Sequence, residues 1–209
     1  MKNVTVLDHP LIEHKLSILR DKHTGTKLFR ELVSEIGAYL IYEAMRDVPL
    51  EKTVVETPIK TIEMGRLNED NYAFAPIMRA GMGMLDGVLK VIPNAKIAHV
   101  GMYRDETTYE PVNYFFKAPE DIGDREVIIL DPMLATGGSA CDAIDLFKKK
   151  GVKKMRFICL IAAPEGLEKV TTEHPDVPII CAHVDDKLNE NKYIVPGLGD
   201  AGDRIFGTK

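Results

Sequence analysis

The chain has 209 residues, 45% of them hydrophobic and 28% charged, which suits a soluble protein with one sizeable core and argues for a single domain over 1–209. With 27 basic and 32 acidic residues the net charge is −5, which disfavours a broad nucleic-acid surface and requires any anion site to be made locally. No apolar run approaches the ~20 residues of a membrane span, and the start MKNVTVLDHP lacks the apolar core and cleavage site of a secretory signal. Cys141, Cys159 and Cys181 are widely spaced with no C-x-x-C, so neither a disulfide framework nor a zinc knuckle is indicated, and a cytoplasmic location is expected.

In chain order, residues 8–47 carry a helical period. Leu11, Ile12, Leu16 and Leu19 share one face of a first helix over 9–19, and Leu28, Leu32, Ile36, Leu40 and Met45 one face of a second over 24–45. His9 and His14 lack the H-E-x-x-H arrangement and read as capping or surface side chains rather than metal ligands. Arg46-Asp47-Val48-Pro49 stops the helix, and the weak alternation of 51–62 reads as an edge strand with Pro58 near its end. Residues 71–79, NYAFAPIMR, read as the first strand of a central sheet, 81–91 as a helix and 95–103 as the next strand. RDETTY at 104–109 is charged and turn-like, and PVNYFFK at 111–117 alternates; together they predict a protruding flap. Residues 127–130, VIIL, read as a strand buried on both faces, and 140–150 as the helix after it, its lysines 148–150 placed at the negative end of the dipole. Two more buried strands, 155–163 and 177–184, flank a helix over 164–173. Strands alternating with helices predict an open, mainly parallel α/β sheet flanked by helices.

The chemistry gathers where such strands end. Ligands of open α/β sheets bind beyond the carboxyl ends of strands, and Asp131 stands there after 127–130. Thr136, Gly137, Gly138 and Ser139 then combine two hydroxyls with two flexible residues directly before a helix, a composition that can turn N–H groups toward a phosphate. A bare TGGS is more often a plain turn. Arg79-Ala80-Gly81 sits at another strand end, where an arginine can grip a pyrophosphate in a bidentate fork or simply pair at the surface. Near the end, YIVPGLGDAGD at 193–203 offers three glycines and two acids whose backbone can approach a flat ligand. Its G-x-G-x-x-G spacing and the glycines at 81–87 raise a dinucleotide-binding oxidoreductase as a rival. The first lacks room for a βαβ unit and the second is longer than the fingerprint; no P-loop motif occurs.

The string from the strand through DPMLATGGS resembles the signature of the type I phosphoribosyltransferases, and its Asp-Pro in place of two adjacent acids is similar to the uracil phosphoribosyltransferase version. RAG, MYRD and YIVPGLGDAGDR resemble the same family, and from HPLIEHKLSILRD to FGTK the resemblance spans nearly the whole chain. It implies the type I phosphoribosyltransferase fold, with a flap and a C-terminal hood over the base, and the transfer of 5-phosphoribosyl-1-pyrophosphate (PRPP) to uracil, giving UMP and pyrophosphate. For PRPP it implies Arg79, Arg104, the run Asp131, Pro132, Met133, Leu134, Ala135, Thr136, Gly137, Gly138 and Ser139, and Asp200. For uracil it implies Tyr193, Ile194, Gly199, Asp200 and Ala201, with Asp200 and Arg104 acting in catalysis. Mg²⁺ is expected to arrive through PRPP and water with no direct protein ligand. A homo-oligomer, dimer or tetramer, and a GTP activator complete the expectation. A nucleotide-binding regulator of RNA on the same fold is the rival outside enzymology, and the acidic balance disfavours it.

Overall fold

Val127 and Ile129 face one layer of helices, and Ile128 and Leu130 face the other, all four without solvent exposure. That alternation, with every position apolar, is what a strand in the middle of a three-layer sandwich requires. The computed structural model describes residues 3–104 and 111–208, with the side chains of 103, 104 and 111–113 outside the description. The elements are β1 (Val4–Val6), α1 (Pro10–Arg20), α2 (Thr26–Ala44), β2 (Glu51–Glu56), β3 (Thr61–Arg66), β4 (Tyr72–Met78), α3 (Met82–Val91), β5 (Lys96–Ile97), β6 (His99–Arg104) and β7 (Pro111–Lys117). There follow β8 (Glu126–Leu130), β9 (Met133–Leu134), α4 (Gly138–Lys149), β10 (Lys154–Ala162), α5 (Pro164–Glu173), β11 (Ile179–Val184), β12 (Lys187–Leu188), β13 (Ile194–Val195) and α6 (Ala201–Phe206).

The main sheet runs β1-β11-β10-β8-β4-β6-β7, parallel throughout except for the antiparallel pair β6 and β7. One face packs on α1, α2, α3 and α6, the other on α4 and α5. The expected strand over 95–103 divides into β5 and β6, which keep one register against β4. The gap, Ala98, is level with Ala75, and the next residue, Pro76, has no N–H to give the ladder.

Three sequence expectations need correction. Residues 51–62 are not an edge strand of the main sheet: β2 and β3 pair with each other through a turn in which Thr57 N donates to the Lys60 carbonyl at 3.1 Å. The run holds β2, the turn Thr-Pro-Ile-Lys and the first two residues of β3, a turn that weak alternation hides. A strand of three residues, β1, precedes the first helix and pairs with β11, too short to leave a period in the sequence. The residues expected as one C-terminal loop, 193–203, contain β13 and the start of α6. His9 proves to be a cap, its Nδ1 accepting from Leu11 N at 3.1 Å, and all three cysteines are free and buried. Residues 105–110, the tip of the expected flap, lie outside the described residues; β6 and β7 form its stem.

Candidate active site

Parallel register decides what meets at the sheet edge. Leu130 is level with Pro76 on β4 and Ile158 on β10, so Asp131 and Arg79 emerge on the same carboxyl edge. Gly81 explains the third letter of RAG: a Cβ there would lie 2.3 Å from the Leu130 carbonyl oxygen, so any larger residue would push the two strand ends apart. The Met78–Arg79 peptide is cis. Asp131 is half-buried and its Oδ1 accepts from Met133 N at 3.4 Å. Burial pushes its carboxyl up to about 7, against a smaller pull downward from the Met133 N–H.

The run after Asp131 does two jobs. Pro132 and Leu134 are buried, and their carbonyls accept from Leu160, Ile161 and Ala163 N, which seams the run to β10. Their part is to hold the loop. Ala135, Thr136 and Gly138 are partly exposed and Ser139 is exposed. Gly137 has φ +79, and Gly138 already belongs to α4, so the helix starts two residues before the expected one and its first N–H groups open onto the loop. Gly138 N also reaches Thr136 Oγ1 at 3.4 Å. Behind the loop stands Gly166 of α5, where a Cβ would meet the Ala135 carbonyl oxygen at 2.4 Å. No motif singled it out. A glycine in the first turn of an otherwise ordinary helix, against its helix propensity, was the available signal.

The C-terminal segment folds back over the same edge. Arg79, 56% exposed at its side chain, sits 3.4 Å from Asp203 Oδ1 and 5.8 Å from the centre of the Phe206 ring. Asp200 is exposed and its Oδ1 caps α6 by accepting from Asp203 N at 2.8 Å, a structural duty beside the expected chemical one. Ala201 is the first residue of that helix. Ile194 is 4% exposed and packs in the core, while Tyr193 is 45% exposed. Gly199 has φ +82, and the ideal Cβ position meets no neighbour nearer than Arg204 Cδ at 3.8 Å. Arg204 ties the loop to α1 and α2: it donates to the carbonyls of Leu198 at 2.8 Å and Asp21 at 2.6 Å and lies 4.2 Å over the Phe29 ring. Burial lowers its pKa. Arg104 ends β6, a parallel neighbour of β4, so its backbone reaches the same edge; its side chain is outside the described residues. Arg20 and Asp185, which sequence reasoning passed over, hold the loop from beneath.

A sequence model of the family described as uracil phosphoribosyltransferase matches residues 6–208. The chain belongs to the uracil phosphoribosyltransferase family. It is an enzyme, a pentosyltransferase that joins uracil to PRPP to give UMP and pyrophosphate. Proteins named uracil phosphoribosyltransferase from Listeria welshimeri and Clostridium novyi are 57% and 56% identical over 209 residues, covering all of both chains. The solved AQ2163 protein of Aquifex aeolicus is 40% identical with a TM-score of 0.92 over 99% of each chain. An adenine phosphoribosyl transferase from Trypanosoma brucei, solved with AMP, pyrophosphate and ribose-5-phosphate, shares the fold at a TM-score of 0.62 and 12% identity, covering 96% of this chain and 89% of that one. Among the described residues no helix is long and apolar enough to cross a membrane.

Proposed function

We propose that the carboxyl edge of the sheet is where PRPP and uracil meet, on one observation: the acid, the glycine loop, the RAG arginine and the C-terminal glycines converge on it, Arg79 reaching Asp203 across 124 residues of chain. The start of α4 takes the 5′-phosphate on the N–H groups of Gly138 and Ser139 and on the hydroxyls of Thr136 and Ser139. Asp131 accepts from the ribose hydroxyls, for which its carboxyl must be ionised. Arg79 grips the pyrophosphate with its planar fork, and Arg104 joins it from the end of β6. Main-chain groups of Ile194 and of Gly199 to Ala201 read the edge of uracil, with Tyr193 beside the ring.

Uracil N1 then displaces pyrophosphate at C1′ through a transition state with oxocarbenium character, and the protein acts by positioning and charge stabilisation. The donors fit a hydrated hard cation: the carboxylates of Asp200 and Asp203 stand beside Arg79. Asp200 would orient the water shell of a Mg²⁺ ion carried on PRPP oxygens. When bound, that ion neutralises charge on the leaving group.

The deciding assay is pyrophosphate release from PRPP with a panel of free bases: turnover of uracil and rejection of cytosine by ~10⁴ is expected, because main-chain donors and acceptors cannot exchange polarity. Comparable kcat/KM for the two would refute backbone readout. A homo-oligomer is supported by the β2–β3 hairpin, which among the described residues pairs with no other strand and carries Val54 at 72% and, in its turn, Ile59 at 90% exposure; sedimentation is the check. The GTP activator implied by the resemblance belongs to the same proposal, checked by rates with and without GTP. A single domain predicts one cooperative thermal transition.

A further inference from the structure

We infer that Arg20 and Asp185 are positioning residues that set the main chain of the base loop, and through it the choice of base; this rests on the assignment of uracil to Gly199–Ala201. Asp185 follows β11, is anchored by its own N–H to the Ala162 carbonyl at 2.8 Å, and its side chain has 0% exposure. It accepts from Arg20 Nη1 at 2.9 Å, Arg20 Nη2 at 2.5 Å and Gly197 N at 2.8 Å, with His183 Nε2 at 3.6 Å. Arg20, the last residue of α1, also donates to the Gly197 carbonyl at 2.7 Å. Both backbone polar groups of Gly197 are thus held by one ion pair whose members are 165 residues apart.

The residue so held has no latitude of its own. Gly197 has φ +66, and a Cβ there would stand 2.2 Å from the Ile194 carbonyl oxygen. One residue on, the Leu198 carbonyl is taken by Arg204, itself bound to Asp21, the neighbour of Arg20. Gly199 then projects with little protein around it. A glycine-rich segment does not rigidify itself, since glycine loses the most freedom on ordering. Reading donor against acceptor with main-chain groups nevertheless needs them fixed to a fraction of an ångström. A buried ion pair is a weak source of net stability, because desolvation offsets its attraction, but a bidentate fork fixes direction. That is the property the loop lacks.

The test is steady-state kinetics of Arg20→Lys and Asp185→Asn, varying uracil, cytosine and PRPP separately, with circular dichroism to establish folding. Loss of the fork should raise KM for uracil about 10- to 100-fold, as misplacement by about an ångström does. KM for PRPP should stay within about twofold, and discrimination between uracil and cytosine should fall. Arg20→Lys keeps the charge and should lie between the parent and Arg20→Ala. A merely structural pair would lower the melting temperature and move both substrates' parameters together, or leave uracil KM unchanged in folded protein; either result overturns the inference. If Asp185→Asn does not fold, Arg20→Lys carries the test. Gly199→Ala, run beside them, separates the two levels: a raised uracil KM there with none in Arg20→Lys removes only the clamp. Unchanged uracil KM in both removes the base assignment itself.

Discussion

The loop proposed for the phosphate and the hood proposed for the base lie on one sheet edge and are built in opposite ways. The loop, 131–139, is a strand end, a seam to β10 and a helix start, all supplied by one stretch of chain with α5 packed behind it. The hood depends on contacts between the two ends of the chain: Arg20 to Gly197 spans 177 residues and Arg204 to Asp21 spans 183. The first is stiff by local geometry and the second by tertiary ties. On the proposed assignment, the part of the substrate common to all phosphoribosyl transfers is met by a local element, and the part that differs, the base, by one whose shape distant residues can tune.

The sharpest way to break this contrast is through the backing of the loop. Gly166→Val places side-chain atoms where the Ala135 and Leu134 carbonyls already lie, at 2.4 and 2.9 Å from the Cβ, so the loop must shift. We expect a loss in kcat/KM for PRPP of about 100-fold or more, and initial rates at varied PRPP check it. Parent-like kinetics would show that the loop does not depend on α5.

Asp131→Asn follows, with about ten- to hundredfold lower kcat/KM from loss of a charge-assisted interaction. It also tests where the cost of burial goes. Unfolded chain releases this proton near the ordinary 3.8, whereas the folded protein holds it up to about 7. The folded state thus binds the proton more tightly, and the acid costs no stability below about pH 4. The cost grows between pH 4 and 7 and is constant above. Asp131→Asn should raise the melting temperature at pH 8 by about 2 to 8 °C, for about 1 to 2 kcal/mol, with the difference vanishing toward pH 4. Thermal scans at both pH values decide it. In the parent, kcat/KM for PRPP should fall as pH drops through about 7, where the carboxyl protonates.

Arg79→Lys should be milder, roughly tenfold in PRPP use, since the charge survives and the fork does not. Its 3.4 Å contact with Asp203 leaves the arginine 56% exposed, so stability should change by less than about 0.5 kcal/mol. A destabilised variant with normal PRPP kinetics would make Arg79 a structural residue. The smallest effect is expected at Gly199: Asn accepts its positive φ more readily than Val, so Gly199→Asn should keep more uracil turnover than Gly199→Val. Equal loss in both would place the requirement in space rather than in backbone conformation.

Much of this was legible in the residues. The helix over 164–173 begins and ends where the period put it, and VIIL is buried on both faces as its composition required. The positions of Asp131 and Arg79 at strand ends follow from alternating elements alone. By contrast the reading of 51–62 as one strand fails, because a six-residue strand, a turn and the start of a second strand resemble one weak strand. α6 was missed, because Gly-Asp-Ala-Gly-Asp reads as loop until Asp200 is seen to cap Asp203 N.

By itself the sequence determined what depends on neighbours along the chain: apolar runs that must be buried, glycines and hydroxyls before a helix, an acid after a strand. These are local because backbone conformation and hydrophobic period are local. Tertiary structure alone decided that Gly81 must be small beneath Leu130, that Arg204 serves the loop's carbonyl rather than its ligand, and that Arg20 meets Asp185 under Gly197. Each of these rests on hydrogen bonds or close approaches between segments far apart in the chain. Such partners are chosen by strand register and helix packing, which no window of residues contains.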